Sequence, residues 1–250
     1  MLLLLSGEGP SDLGCCAMPI GQCDGDAFDA GPMAVLVDQI VQEMLCYSVL
    51  RDVPASLRYV SKQFLGEAIG EQRQNKRMVA LTGKKRAEET GYFMKMAWVF
   101  GTLAQQIEAV EGDCAVAVFF RDSDGTRSIP DGAWAEKWVS IEQGFVRARF
   151  ERGVPMLPKP TSEAWLLCAA KAAPYQNCMA LEDLPGNQES ERHPKKELKR
   201  AFGKEKSSQE LREWLEERPF DPDRAMEMGS YRVFRECLVA ALESVRRGEQ

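Results

Sequence analysis

The chain has 250 residues, an ordinary apolar fraction of 44% and a formal net charge of −6, so it can bury a substantial hydrophobic core. Because the net charge is negative, bulk electrostatic attraction to nucleic acid is excluded. Any contact with nucleic acid must then come from local basic patches, or from metal ions that bridge acidic residues to phosphates.

An apolar run, M-L-L-L-L, opens the chain and leads into S-G-E-G-P-S-D at residues 6–12. The run lacks a basic start and is shorter than the about 7–15 apolar residues of a signal-peptide core. No stretch of the chain reaches the roughly 18 apolar residues that span a bilayer. We therefore expect a cytoplasmic protein without membrane contact, and a buried strand that ends beside Glu8 and Asp12.

Residues 14–31 show little periodicity and are interpreted as a loop. From Pro32, apolar residues recur at steps of three and four, which predicts a helix through Leu45. Residues 51–86 interrupt this pattern and form the more basic part of the chain, which we interpret as a basic helical insertion. Two roles stay open for the insertion: a solvated surface, or a strip that contacts phosphate backbones.

A long helix is predicted over residues 88–110, followed by the apolar run A-V-A-V-F-F at residues 115–120. Six residues without a charge are typical of a strand buried on both faces of a parallel sheet. The run ends in R-D-S-D-G, at the edge where α/β sheets bind ligands. Asp122 and Asp124 repel each other there unless a cation intervenes, and hard ions such as Mg²⁺ take carboxylate oxygens. A surface turn is the alternative, because Asp, Ser and Gly also favour turns.

One more strand is predicted among the helices that follow. A helix over residues 133–150 precedes a short strand at residues 154–157, and Thr161 or Ser162 can cap the next helix. Glu163 then lies in the first turn of that helix. It either complements the helix dipole there or joins an acidic site.

Residues 185–250 are interpreted as a helical C-terminal extension, with amphipathic helices over residues 209–217 and 230–246. The first part of the extension is polar and rich in lysine after the only histidine of the chain. A lysine close to an acidic site can stabilise negative charge that develops on a phosphate. Lys195 and Lys196 are the candidates for this role.

Other chemistries lack their residues in this sequence. One histidine is too little for a Ser-His-Asp triad, and no G-x-x-x-x-G-K-[ST] loop is present to bind ATP. The eight cysteines form no C-x-x-C pair, which argues against a zinc site. Five of them lie in apolar segments, where a free thiol packs as a small hydrophobe: Cys46, Cys114, Cys168, Cys178 and Cys237. We therefore predict reduced cysteines in a cytosolic compartment.

Two acidic motifs carry a resemblance to a known fold. An apolar strand followed by E-G-x-x-D at residues 8–12, and a later strand followed by D-x-D-G at residues 122–125, resemble the Toprim fold. That fold is the metal-binding core of topoisomerases, bacterial primases and OLD-family nucleases. A small Toprim-like prokaryotic family of unknown function, often linked to anti-phage defence, is more closely similar. This similarity rests on G-P-M at 31–33, P-K-P-T-S-E-A-W-L-L at 158–167 and G-S-Y-R-V-F at 229–234.

The resemblance implies one α/β domain over residues 1–250, a Toprim-like, mostly parallel sheet flanked by helices with helical additions. It also implies a nuclease that hydrolyses phosphodiester bonds in DNA or RNA with Mg²⁺ or Mn²⁺, held as two ions. The predicted metal ligands are Glu8, Asp12, Asp122, Asp124 and Glu163. Either glutamate is also a candidate general base, and Lys196 is the candidate assisting lysine. Relatives of this kind often act with an ATPase subunit, so the resemblance also implies an ATPase partner as one possibility, and an oligomer is compatible with the sequence.

Two other functions stay open. The sequence F-F-R-D-S-D-G-T also resembles the first motif of haloacid-dehalogenase-type phosphatases. In such an enzyme Asp122 would be the phosphorylated nucleophile, Asp124 the acid/base and Thr126 a support. That motif is expected near the N-terminus, and the paired acids expected later have only Glu182 and Asp183 as candidates, which follow no clear strand. The third hypothesis is a non-catalytic Toprim-like module that binds a partner protein and no metal.

Overall fold

The computed structural model describes residues 1–7, 9–18, 21–74, 85–123 and 133–248. It shows an α/β protein with a five-stranded, mostly parallel sheet flanked by helices, which confirms the predicted fold class. Glu8 and Asp124 lie outside the described residues, so the structure does not place these two predicted ligands.

The described residues form seven strands. They are β1 (Leu2–Gly7), β2 (Gly14–Cys16), β3 (Gln22–Asp24), β4 (Phe28–Ala30), β5 (Leu57–Ser61), β6 (Ala115–Phe120) and β7 (Gly153–Met156). The main sheet has the order β3-β5-β1-β6-β7. Strands β1, β5, β6 and β7 are parallel, β3 is an antiparallel edge strand, and β2 pairs with β4 in a separate ribbon.

Eight α-helices are described. They are α1 (Pro32–Leu45), α2 (Lys62–Gln74), α3 (Lys85–Glu111), α4 (Ala133–Ala148), α5 (Ser162–Ala170), α6 (Pro194–Phe202), α7 (Ser208–Glu217) and α8 (Gly229–Gly248). Helix α3 packs on α4 and contacts β6, while α8 packs on α1 and contacts β6 and β7. Within the described ranges, no helix has the length and apolar character needed to cross a membrane.

The centre of the sheet is apolar because β1 and β6 carry no charged side chains. Residues 3–5 of β1 and all six residues of β6 are completely buried. A second apolar layer joins α5 to α8, where the Trp165 ring lies 5.3 Å from that of Tyr231 and 5.5 Å from that of Phe234. These layers fix the two strands whose ends carry the acidic motifs.

Two predictions about local structure are wrong. Residues 51–86 are not a purely helical insertion, because Leu57–Ser61 form β5, an interior strand that pairs with β1 on one side and β3 on the other. Its polar residues, such as Arg58, hide the strand pattern in the sequence. Residues 14–31 are not all loop either, since three short strands lie there. Residues 75–84 of the insertion lie outside the described part of the chain.

The prediction of free cysteines is also wrong for four of them. Cys16 is bonded to Cys23, and Cys168 at the end of α5 is bonded to Cys178. Disulfide pairing depends on which β-carbons the fold brings together, so spacing along the sequence did not reveal it. The second disulfide links α5 to the 3₁₀ turn Cys178–Asp183 that follows it.

Candidate functional site

The ends of β1 and β6 meet at one edge of the sheet. The two strands pair in parallel, with Leu2 opposite Ala115 and Ser6 opposite Phe119. Across the sheet the four parallel strands lie in the order β5, β1, β6, β7. In chain order these are the second, first, third and fourth parallel strands, so the direction of the order reverses beside β1. Open α/β sheets of this order bind ligands at the carboxyl ends of the strands flanking that switch point. Both acidic motifs follow these two strands.

Asp12 and Asp122 are brought together by one residue, Ser162 at the start of α5. The Ser162 hydroxyl donates to Asp12 Oδ1 at 2.5 Å, and the Ser162 backbone N–H donates to Asp122 Oδ1 at 2.9 Å. Two carboxylates from distant parts of the sequence therefore lie within hydrogen-bonding reach of a single residue. Both also lie at the N-terminus of a helix, whose partial positive charge favours anions.

The segment around Asp12 is held by a close backbone contact with the start of α1. The backbone N–H of Met33 donates to the Asp12 carbonyl at 2.9 Å. A β-carbon at position 31 would lie only 2.3 Å from that carbonyl oxygen, so glycine is required there. This contact explains the G-P-M sequence at 31–33 as part of the support for the acidic site.

The end of β6 is held against the segment before α5. The Arg121 N–H donates to the Met156 carbonyl at 3.0 Å, and the Ser123 N–H donates to the Pro158 carbonyl at 3.3 Å. The buried Ser123 hydroxyl also donates to the Pro160 carbonyl at 3.1 Å. Asp122, between these anchored residues, is thus fixed relative to α5.

Burial raises the pKa of the Asp12 carboxyl above its ordinary value of 3.8, and the nearby charge of Glu163 raises it further. Hydrogen bonds from Ser162 and Ser11 and the positive charge of Lys195 act in the opposite direction. Burial is the largest of these effects, and Glu163 is the acidic neighbour that adds to it. A carboxyl whose pKa is shifted by burial and by an acidic neighbour is a candidate for a functional site.

Two buried hydroxyl groups border this edge of the sheet. Thr161, the N-cap residue of α5, and Ser6, near the end of β1, each have a side-chain oxygen without a hydrogen-bond partner among the residues the structure describes. Buried hydroxyls are normally bonded to protein or to ordered water. Together with the carboxylates, they give a set of hard oxygen atoms, the donor type that Mg²⁺ and Mn²⁺ prefer. The donor chemistry therefore fits the metal that the Toprim resemblance implies.

Sequence analysis missed two buried cations behind Asp122. Lys137 of α4 is 4% exposed, and its ammonium donates to the Ser123 carbonyl at 3.0 Å. Arg121 is 1% exposed, and its guanidinium lies 4.2 Å from the centre of the Phe119 ring. Lys137 could have been found, because it lies four residues from both Ala133 and Ile141, on the buried face of α4. Arg121 carried no comparable signal.

The two candidate lysines point to different places. Lys196 donates to the Glu189 carbonyl at 3.1 Å and pairs with the Glu191 carboxylate at 3.3 Å. Lys195 instead lines a cleft that also contains Asp12, and its charge affects that carboxyl. The structure therefore favours Lys195 over our choice of Lys196 as the lysine beside the acidic site.

His193 has a structural role that sequence analysis did not assign. It is buried and caps α6, with its Nδ1 accepting a hydrogen bond from the Lys195 backbone N–H at 3.2 Å. Burial lowers its pKa, and the nearby Lys196 and Lys195 lower it further against the effect of Glu163. The neutral imidazole thus fixes the first turn of the helix that presents Lys195.

The structure brings together three of the five predicted metal ligands, Asp12, Asp122 and Glu163. Within the described residues alone, no group of three or more His, Cys, Asp or Glu side chains is arranged to hold a metal ion. Comparison with protein-family models, with curated proteins and with solved structures gave no match. The Toprim relationship therefore stays a prediction from the two acidic motifs.

Proposed function

We propose that this chain is a nuclease that hydrolyses phosphodiester bonds with the help of Mg²⁺ or Mn²⁺. The observation that supports it is the convergence of Asp12 and Asp122 on Ser162, at the switch point of a parallel sheet. Charge repulsion among acidic groups at this edge favours a bound cation. Glu8 and Asp124, which follow the same two strands in sequence, would complete the set of ligands.

Each described residue has a distinct role in this proposal. Asp12 and Asp122 would hold the metal, with Ser162 fixing the orientation of both carboxylates. Glu163, in the first turn of α5, would accept a proton from the attacking water. Lys195, at the side of Asp12, would orient a phosphate oxygen. Bound metal would lower the pKa of the water and offset the charge of the phosphate.

The resemblance to Toprim-like families, rather than any contact, supports the wider proposals. These are a role in prokaryotic anti-phage defence, an ATPase partner and the use of two metal ions. Two alternatives predict different behaviour. A haloacid-dehalogenase-like phosphatase would need Asp122 but not Asp12, and a non-catalytic module would need neither.

The test is cleavage of supercoiled plasmid DNA and of a tRNA pool with Mg²⁺ or Mn²⁺. Wild type would be compared with Asp12→Asn, Asp122→Asn and the control Asp113→Asn, which lies before β6 at the opposite end of the strand. We expect metal-dependent cleavage by wild type and the control, and at least about a 100-fold loss in both other variants. Hydrolysis of small phosphate esters that survives in Asp12→Asn and is lost in Asp122→Asn would support the phosphatase instead. No cleavage by any form would contradict the nuclease.

A further inference from the structure

A cleft beside the acidic site is lined by apolar side chains and by lysines, which a metal site does not need. We call it the lysine cleft. Its floor is apolar and consists of Leu166, Leu198, Phe202 and Leu211. Its rim consists of Lys195, Lys199, Lys204 and Lys206, and one end is formed by Asp12, Ser162 and Glu163. A nucleic acid whose phosphate is held by the acidic site would therefore extend into this cleft.

Two of the rim lysines, Lys195 and Lys199, are available for exchange with another anion, whereas Lys204 pairs with the Glu210 carboxylate at 2.5 Å. Lys195 and Lys199 share a single carboxylate, Glu205, at 3.5 and 3.6 Å, and all three side chains are more than half exposed. Exposed ion pairs of this kind contribute little to stability. A phosphate group, which is a strong multiple acceptor, can replace Glu205 between the two ammonium groups.

The floor contains an aromatic ring that is held in place. The Phe202 ring is half-buried and packs edge-on against Trp214, with ring centres 5.1 Å apart. The Lys206 ammonium lies over the Phe202 ring, 5.1 Å from its centre, so a base that stacks on this face must displace it. With Lys206 moved from the ring onto a phosphate, Phe202 and the lysines combine the two elements that bind unpaired nucleotides, a stacking platform and a positive groove.

We propose that the lysine cleft binds one unpaired nucleotide of a single-stranded nucleic acid, next to the phosphate that the acidic site cleaves. The base would stack on Phe202, and its phosphate would lie among Lys195, Lys199 and Lys206. A base within a duplex is covered on both faces and cannot reach this ring. The proposal rests on the proposed function for the identity of the neighbouring phosphate, and it adds a preference for single strands.

The experiment is fluorescence anisotropy with a labelled oligonucleotide in EDTA, so that binding is measured without cleavage. The same sequence is presented as single strand and as duplex, in DNA and RNA forms. We expect wild type to bind the single strand about tenfold more tightly than the duplex, which corresponds to one stacked base. Phe202→Leu should keep the apolar floor and lose this preference. Thermal melting of each variant checks that it is folded.

Charge variants test the rim separately. Lys199→Gln should weaken binding several-fold, whereas its neighbour Arg200→Gln should not, because Arg200 pairs with Glu191 and Glu197 instead of lining the cleft. Glu205→Gln should strengthen binding, since it removes the carboxylate that competes with phosphate. Equal binding of single strand and duplex, or an unchanged preference in Phe202→Leu, would overturn the proposal.

The two proposals fail in different ways. Binding as expected in EDTA, without cleavage when Mg²⁺ is added, would contradict the nuclease and leave the lysine cleft as a nucleic-acid site. Cleavage by wild type, with Phe202→Leu showing the same strand preference, would leave the nuclease and contradict the role of the cleft.

Discussion

The N-terminus of α8 is met by one carboxylate, whereas the N-terminus of α5 is met by three acidic side chains. At α8, Glu182 accepts hydrogen bonds from the backbone N–H of Gly229 at 2.9 Å and of Ser230 at 2.7 Å, and from the Ser230 hydroxyl. The same hydroxyl accepts a hydrogen bond from the Trp165 indole at 2.9 Å. One carboxylate is enough to satisfy this helix end.

At α5, the acidic groups exceed what helix capping needs. Asp122 accepts the Ser162 N–H, yet Asp12 and Glu163 lie close by, and burial together with Glu163 raises the pKa of Asp12. The comparison separates a carboxylate that caps a helix from acidic side chains that helix capping does not explain. It also explains Glu182, one of the paired acids considered for a phosphatase, as a helix cap.

The largest expected effect on stability is at Glu182. Glu182→Ala leaves two backbone donors and a hydroxyl without their acceptor, so we expect a loss of about 2–3 kcal/mol in the free energy of unfolding. Glu182→Gln keeps one carbonyl acceptor and should lose less. Urea unfolding measures both changes. A loss below about 0.5 kcal/mol in Glu182→Ala would show that the cap is not needed.

The Cys168–Cys178 disulfide supports the same helix cap, because it ties α5 to the turn that carries Glu182. Its loop is short, with a sequence separation of 10. Replacing both cysteines with serine should lower the free energy of unfolding by about 2–3 kcal/mol. A reductant should then destabilise wild type more than it destabilises the double variant. Equal sensitivity in the two proteins would mean that this disulfide contributes nothing.

Asp12→Asn should have an effect of the opposite sign and stabilise the metal-free protein at pH 7. We expect the free energy of unfolding to rise by about 0.5–2 kcal/mol, which is usual for a stabilising substitution. The pKa of Asp12 is raised in the folded protein. Its protonated carboxyl therefore contributes to stability below pH 3.8, and this contribution to the free energy of unfolding is lost as the pH rises through the raised pKa. The gain from asparagine should therefore appear as the pH rises above about 4. Unfolding curves in EDTA across this pH range measure the gain, with Asp26→Asn, at an exposed position between β3 and β4, as control. A less stable Asp12→Asn at pH 7 would contradict the account.

The smallest effect is expected at Tyr231, in the aromatic layer beneath the Glu182 cap. Its hydroxyl is fully buried and has no hydrogen-bond partner in the described part of the chain. Burial is also the main cause that raises its pKa. Tyr231→Phe removes an unsatisfied group, so thermal melting should show a change within about 0.5 kcal/mol or a small gain. A loss well above this would reveal a partner for the hydroxyl.

The fold was predictable where apolar patterns are long. Strands β1 and β6 and helices α1, α3, α4 and α8 follow from uninterrupted apolar runs or regular spacing. Strand β5 was missed because L-R-Y-V-S contains polar residues, although most of the strand is buried. Three-residue strands such as β2 have too few positions to show a period.

The acidic site was predictable only in its outline. Sequence motifs placed Asp12, Asp122 and Glu163 at the ends of strands or at a helix start, and the structure brings them together. Ser162 was considered only as a cap, because its bonds to two carboxylates depend on tertiary contacts. The choice between Lys195 and Lys196 depends on how α6 is rotated about its axis, which two adjacent lysines cannot show.

We propose above all that the acidic cluster at the ends of β1 and β6 binds a divalent cation. Isothermal titration with Mn²⁺ tests it directly, using wild type, Asp122→Asn and the control Asp113→Asn. We predict that wild type and Asp113→Asn bind Mn²⁺ with similar affinity, and that Asp122→Asn binds at least about tenfold more weakly, because a carboxylate ligand is lost. Absence of binding to wild type, or equal affinity in Asp122→Asn, would contradict the claim.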